Sequence, residues 1–304
     1  MSRMSRPVAV LLLVIATVIW GLAFVAQKSA MSHVGPLTFA GERLLLGGLA
    51  LVPFMVGELR RKAVKLSGLS RRTWVQIGLL CAAYMFGSLL QQFGLAHTTV
   101  TNSGFLMALY VLFAPLTAYI AIRAKPHPII YVGAPLALIG IFYLNGGHLS
   151  ALNFGDGLVI VSAVFWGAHV FLLGLLSRAT ALPVTLSAIS FLVVGAICMA
   201  LAYMFETPTL TGLSAIWVEL LYVGIMSTAV AFTLQAIAQQ HVPAANAAIV
   251  LSAESLFAAL GGALILGERL SPVGYAGAAL IFFAIILVEA VPAITARRAA
   301  SASA

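Results

Sequence analysis

The sequence predicts an all-α integral membrane protein with ten transmembrane helices, arranged as two inverted five-helix repeats. Three observations carry that expectation. Of the 304 residues, 62% are hydrophobic and 8% charged, and mean hydropathy is +1.10, far from the balance of a soluble domain. Apolar runs of roughly 20 residues, the length a helix needs to cross ~30 Å of hydrocarbon, recur along the chain. Finally, residues 91–141 return as 235–285 without a gap at an offset of 144. Gln91 then matches Gln235, His97 matches His241 and Asn102 matches Asn246. Leu112-Phe113-Ala114 matches Leu256-Phe257-Ala258, Pro128 matches Pro272, Tyr131 matches Tyr275, and Gly133-Ala134 matches Gly277-Ala278. Shared Leu or Ala means little in so apolar a chain, but shared Gln, His, Asn, Pro, Tyr and Gly in fixed register mean duplication. A weaker echo pairs Trp20-Gly21 with Trp166-Gly167, and Pro36, Thr38 and Gly48 with Pro183, Thr185 and Gly195. The repeats are assigned to 1–147 and 148–304.

In chain order the runs fall at about 7–27, 36–57, 74–95, 102–122, 128–146, 155–176, 184–205, 213–235, 245–266 and 272–292. Strands are excluded because hydrocarbon cannot satisfy their backbone groups, and the runs are too long and uniform for a barrel. Arg3 and Arg6 ahead of the first run resemble a secretory leader. That run outlasts a leader's apolar core, however, and Lys28 spoils a small-residue cleavage site before Met31, so a retained helix is expected. The stretch 299–304 is expected to fray.

The loops orient the chain. Of the 16 basic residues, all but Lys28, Arg43 and Arg269 fall on one side, with Arg60, Arg61, Lys62, Lys65, Arg71 and Arg72 in a single loop. Positive loops stay inside, so both termini are placed in the cytoplasm and the protein in a bacterial-type cytoplasmic membrane. Five helices per repeat is an odd number, and the second repeat must enter the bilayer from the opposite face. Inverted repeats of this kind typify alternating-access carriers.

The net charge of +8 and pI near 9.9 follow from topology and give no reason to expect nucleic acid as a partner. Cys81 and Cys198 lie inside apolar runs without metal or redox spacing, so no metal or cofactor is expected and both are read as packing residues. Ala258, Gly261, Gly262, Gly274, Gly277 and Ala278 are read as close-packing positions. No GxGxxG or Walker pattern suggests a nucleotide loop.

Polar side chains within spans are costly, and where they align they suggest a water-filled or ligand-filled path. Cys81, Tyr84, Ser88 and Gln91 recur at spacings of three and four and share a helix face, as do Thr228, Phe232, Gln235 and Gln239. Asn102, Ser103 and Tyr110 answer Asn246, Ser252 and Glu254; under the 144 offset Tyr110 and Glu254 are equivalent. Glu254 is a deep acid suited to proton coupling or to a substrate ammonium group, or else to a bond with a neighbouring helix. Trp20 and Trp166 lie well below the interfacial belts where Trp collects. Phe24 follows Trp20 by one turn, and His169 shares a face with Trp166. Aromatic walls with few polar anchors suit a small amphipathic ligand, while a lone buried His also fits simple helix packing. Glu42 and Arg43 are adjacent and cannot pair with each other; near the outer end of the second helix, Arg43 is expected to snorkel to water, with a gate or entry role as the alternative. Trp74 and Trp217 read as interfacial anchors, and His97 and His241 as helix-end caps.

Leu256-Phe257-Ala258-Ala259-Leu260, Gly267-Glu268-Arg269-Leu270 and Gly277-Ala278-Ala279-Leu280 resemble the second half of EamA-type members of the drug/metabolite transporter superfamily. Trp20-Gly21 and Trp166-Gly167 near the repeat starts fit the same pattern. The resemblance implies a compact inverted-repeat bundle with a central path between the third, fourth, eighth and ninth helices, export as the activity, and Glu254 at the family's acidic position. The first repeat departs from it, since Arg123-Ala124-Lys125 stands where the second has Gly267-Glu268-Arg269 and Tyr110 replaces the acid; in the second repeat Ser255 stands where many relatives have proline.

The expectation is therefore a permease exporting small amphipathic metabolites, most plausibly amino acids with aromatic or bulky side chains, by alternating access. Its substrate-binding residues would be Trp20, Tyr84, Ser88, Gln91, Tyr110, Trp166, His169, Gln235, Asn246 and Glu254. The partners implied are a small-molecule substrate and membrane lipid. A proton-coupled multidrug exporter with Glu254 as carrier is the alternative. Against a membrane-embedded enzyme, the chain lacks paired deep carboxylates, a nucleophile with its base, or metal-ligand spacing; a non-transporting membrane partner or channel is the remaining alternative. The opposed repeats predict that cysteines placed in 62–70 are labelled by an impermeant maleimide only from the cytoplasmic side, and a cysteine at Gly147 only from the outside; labelling of both from one side would refute the arrangement.

Overall fold

Prolines and short polar side chains decide where the helices begin. Pro7, Pro36 and Pro183 sit in the first turns of their helices, where a missing N–H costs nothing. Ser70 caps its helix by accepting from Thr73 N at 3.1 Å. Asn153 and Asp156 exchange side chain to backbone bonds at 3.1 and 2.7 Å, closing a reciprocal box at a helix start. Thr98 donates to the same Asp156 carboxylate from the preceding helix end.

The computed structural model describes residues 4–98, 100–144, 146–147, 152–257, 260 and 271–302. The helices are α1 (Arg6–Ala30), α2 (Pro36–Arg61), α3 (Arg71–His97), α4 (Val100–Met107), α5 (Tyr110–Ile122), α6 (Ile130–Leu144), α7 (Phe154–Thr180) and α8 (Pro183–Phe205). The short α9 (Leu210–Ala215) and α10 (Trp217–Leu221) follow, then a π-helical segment (Tyr222–Ala231), α11 (Phe232–Ala238), α12 (Ala244–Leu251) and α13 (Pro272–Ala302). Among the described residues there is no strand. Among the described residues eight helical stretches are long and apolar enough to cross a membrane, and Ile130–Leu144 and Ala244–Phe257 are shorter apolar ones. The chain is a multi-pass membrane protein.

Antiparallel pairings that depend on glycine organise the bundle: α2 with α8, α6 with α13, and α3 with α7, where a Cβ at Gly94 would come within 2.9 Å of Gly155 O. Lipid offers no hydrophobic drive between helices, so close backbone approach has to supply the attraction. In the α2–α8 pair a Cβ at Gly48 would come within 2.9 Å of the Leu192 side chain, and one at Gly195 within 2.9 Å of Leu45 N. These contacts are reciprocal under the 147 offset. The α6–α13 pair repeats the device: a Cβ at Gly133 would collide with Val288, and one at Gly277 with Leu144 N and Gly140 O. The ends of α2 and α8 are tied by exchanged carboxylates. Glu206 accepts from Leu37 N at 2.9 Å, Thr38 N at 2.8 Å and Thr38 Oγ1 at 2.7 Å, while Glu58 accepts from Thr185 N and Thr185 Oγ1, both at 2.8 Å. Each carboxylate occupies the amide end of the partner helix, where negative charge is favoured.

Three sequence expectations are corrected. The run 102–122 is broken at Ala108 and Leu109, and the run from 245 breaks at Ser252 and Ala253 before helix resumes at Glu254. The breaks are equivalent under the 144 offset and are tightened by i to i+3 bonds, Leu109 N to Leu106 O and Ala253 N to Val250 O. The run over 213–235 is interrupted by the π turn. Where fraying is expected, α13 continues through Ala302. Ala258, Gly261, Gly262 and the stretch from Gly267 to Leu270 lie outside the described residues, as do the side chains of Phe24, Lys28 and Asn102.

Glu58→Ala and Glu206→Ala should each lower the thermal midpoint in detergent, by about 1–3 kcal/mol of stability for the charge-assisted caps lost. Thr38 and Glu58 lie roughly 30 Å apart along α2, so the double variant should lose close to the sum; a loss from neither single variant would contradict the tie.

Candidate functional site

Between the two halves of the bundle lies a cavity of about 80 Å³. α1 contributes Trp20 and, two helical turns on, Gln27; α2 contributes Arg43 and α3 Gln91. α7 presents Trp166, His169 and Val170, while Ser227 of the π segment and Phe232 and Gln235 of α11 face it. Met107 and Tyr110 stand on either side of the Ala108–Leu109 break, and Leu251 and Glu254 on either side of the Ser252–Ala253 break. Each break thus delivers one member of the Tyr110 and Glu254 pair to the cavity. The space holds roughly half a dozen waters and is smaller than the few hundred Å³ that ordinary ligand pockets offer.

One wall is aromatic and is assembled around Phe232. Its ring centroid lies 4.6 Å from Trp20, 5.2 Å from Tyr84, 5.6 Å from Phe191, 5.9 Å from His169 and 6.0 Å from Trp166, with the Trp166 ring inclined by only 19°. The other wall is polar and incompletely partnered. Trp166 Nε1 donates to Gln91 Oε1 at 2.9 Å, and Trp20 Nε1 to Ser227 O at 3.0 Å. Arg43 Nη2 donates to Ser88 Oγ at 3.1 Å. Arg43 Nε, Tyr110 OH, His169 Nδ1 and Gln235 Oε1 are buried without a hydrogen-bond partner. Unpartnered buried polar atoms are expensive, and four of them around one cavity mark it as a place where something else supplies the partners.

Of the residues singled out in the sequence, Trp20, Gln91, Tyr110, Trp166, His169, Gln235 and Glu254 line this cavity. Three do not. Tyr84 is fully buried behind the aromatic wall against Trp166, His169 and Phe191. Ser88 is occupied in holding Arg43. Asn246 turns toward α13, donating to Val288 O and Glu289 Oε1 at 3.1 Å each, and Glu289 also receives Arg6 at 3.0 Å. The polar stripe from Thr228 to Gln239 is split as well, since Gln239 leaves the cavity to donate to Val170 O at 2.8 Å.

Arg43 is the main correction. Expected to snorkel outward, it is 5% exposed and faces inward. Position along a helix was legible, but the direction of the side chain was set by Ser88 on a helix far away in sequence. Gln27 was also missed, although its seven-residue spacing from Trp20 places it on the same face. Cys81 faces Ser190 at 3.8 Å, and Trp74 and Trp217 are exposed toward the membrane. Among the described residues no group of three or more His, Cys, Asp or Glu could hold a metal ion.

Two stretches of the chain, 7–146 and 153–290, each match the EamA-like transporter family. The chain belongs to the EamA-like transporter family. An "Uncharacterized transporter" of Archaeoglobus fulgidus is 31% identical over 280 residues, 91% of this chain and 84% of its own length. YwfM of Bacillus subtilis, also an uncharacterized transporter, is 27% identical over 93% of this chain and 94% of its own. YedA of Escherichia coli K12, an uncharacterized inner membrane transporter, is 28% identical over 89% of this chain and 87% of its own. A crystal structure superposes with a TM-score of 0.77, covering 97% of this chain and 99% of the other at 19% identity; it supports the fold. This EamA-like protein is accordingly a membrane transporter.

Because five rings meet Phe232, its truncation should be costly. Phe232→Ala is expected to lose about 3–5 kcal/mol, read as a lower thermal midpoint, whereas Phe232→Leu should lose distinctly less; equal losses would show that the rings contribute only volume.

Proposed function

We propose that the protein exports small amphipathic metabolites, most plausibly amino acids with aromatic or bulky side chains, across a bacterial-type cytoplasmic membrane by alternating access between two inverted five-helix repeats. The reciprocal contacts of α2 with α8 and of α6 with α13 support the inversion, since equivalent helices that pair antiparallel with exchanged partners are what a two-fold axis in the membrane plane generates. The cavity is drawn from both halves and combines an aromatic wall with unpaired amide, hydroxyl and guanidinium groups, the chemistry that suits an amphipathic ligand.

One observation carries the mechanism. Trp20 and Trp166 are equivalent, and so are Gln91 and Gln235, yet their bonds differ. Trp166 holds Gln91, whereas Trp20 donates to Ser227 O in the π turn and Gln235 Oε1 is left unpartnered. In a carrier built from inverted repeats, the opposite-facing state exchanges the conformations of the two halves. That state would pair Trp20 with Gln235 and free Gln91, with the π turn returning to α-helix. The present structure is then one of two states related by swapping which indole holds its glutamine.

Counterflow in proteoliposomes with the common L-amino acids tests the activity; no saturable flux of any of them in either direction would refute it. Gln91→Leu and Gln235→Leu should shift the population between inward and outward states in opposite senses, read by alkylation of cysteines placed at the two cavity mouths. Shifts in one sense would remove the exchange. The place of Glu254 in the cavity favours a second reading, a proton-coupled multidrug exporter. Under it, Glu254→Gln abolishes uphill transport of cationic drugs; retention of uphill transport would exclude it.

A further inference from the structure

The geometry points to Arg43 as the anchor for a carboxylate on the transported molecule, so that the substrate class is restricted to compounds with a free, singly charged carboxylate. This rests on the reading of the cavity as the substrate path and adds to it the feature by which substrates are chosen.

A guanidinium within a span is retained only where it faces an aqueous path or finds a partner. Among the described residues Arg43 has neither a counter-ion nor a full set of bonds. It is 5% exposed, Nη2 meets the neutral Ser88 hydroxyl at 3.1 Å, and Nε is buried without a partner. The ion pair found among the described residues is Arg6 with Glu289, far along the chain from Arg43. Glu254 lines the same cavity yet makes no ion pair with Arg43. Among the described residues the cavity therefore holds a guanidinium and a carboxyl group that do not pair with each other. Guanidinium presents a planar fork that fits a carboxylate through two parallel bonds. Ser88 steadies one nitrogen of that fork, and the unpartnered Nε stands on it as a free donor. With a single cation and an acid nearby, a dianion such as a phosphate monoester would be left with uncompensated charge, whereas a monoanion is matched. Glu254, across the same space, suits the ammonium end of a zwitterion, and the wall around Phe232 suits its side chain. An organic cation without a carboxylate would bring like charge to Arg43.

The test is ligand-induced thermal stabilisation of the purified full chain in detergent. The common L-amino acids are compared one by one with their methyl esters and with their decarboxylated amines. The wild type is expected to respond to at least one amino acid and to show half-saturation roughly thirtyfold or more higher for its ester and its amine, the usual consequence of removing one partner of a buried charge pair. Arg43→Gln should lose the response to the acid and reduce the difference between acid and ester to within about threefold. Arg43→Lys keeps the charge without the fork and covers the case in which the glutamine variant does not fold; it should bind the acid several-fold more weakly while still preferring it to the ester. Equal responses of the wild type to acid and ester, or an undiminished response to the acid in Arg43→Gln, would overturn the anchor and leave the cavity reading standing. A wild type unresponsive to every compound would overturn the cavity reading, and the anchor with it.

Discussion

A polar group that enters hydrocarbon must find its partner inside the protein, and most of this structure can be understood as the working out of that rule. The helix ends obey it through exchanged carboxylates: Glu206 serves the start of α2, Glu58 the start of α8, and Asp156 both its own helix and Thr98. Within the spans Asn246 reaches α13 and Gln239 reaches the Val170 carbonyl. Unpartnered atoms occur elsewhere too, among them Thr228 Oγ1, Ser177 Oγ, Gln239 Oε1 and the Tyr84 hydroxyl. At the cavity they converge, with Arg43, Tyr110, His169 and Gln235 each contributing one. The site is where the rule is left unmet from several directions at once.

Close packing surrounds the cavity without filling it. The α2–α8 and α6–α13 pairs approach through glycines, and so do α3 and α7 at Gly94 and Gly155 and α7 and α5 at Gly167. The breaks at Ala108–Leu109 and Ser252–Ala253 interrupt helices that border the cavity, with Tyr110 or Glu254 as the first residue after each. The π turn over Tyr222–Ala231 is the third such adjustment. It has no counterpart in α3, which is α-helical over the equivalent stretch. Wide turns of this kind recur at functional sites, and this one carries the carbonyl that receives Trp20.

The duplication, the helical class and most cavity residues were legible in the sequence because all are one-dimensional signals. A fixed offset identifies equivalent positions, and spacings of three, four and seven identify a helix face. What the sequence could not supply was the direction in which a face points. Asn246 stands as deep as the cavity residues but turns toward α13, and Ser88 shares a face with Gln91 yet is taken up by Arg43. Arg43, near the start of an apolar run, carries the pattern of a snorkelling residue, and only the arrival of α3 beside α2 turns it inward. The helix breaks were equally hidden. Neither contains proline or glycine, so the cause lies in tertiary packing and not in local propensity.

An acid and a guanidinium in a low-dielectric space ordinarily pair, because an unpaired buried ion is costly and a pair recovers part of the loss. Arg43 and Glu254 share a cavity and have not done so. Ser88 holds the guanidinium from α3, and the break after Leu251 fixes where the helix carrying Glu254 resumes. The bundle thus keeps apart two groups whose direct contact would close the site. A protein selected for stability alone would have joined them or replaced both with apolar side chains, which often costs nothing. A dipolar molecule seated between them would relieve both groups at once, and its departure would restore the imbalance.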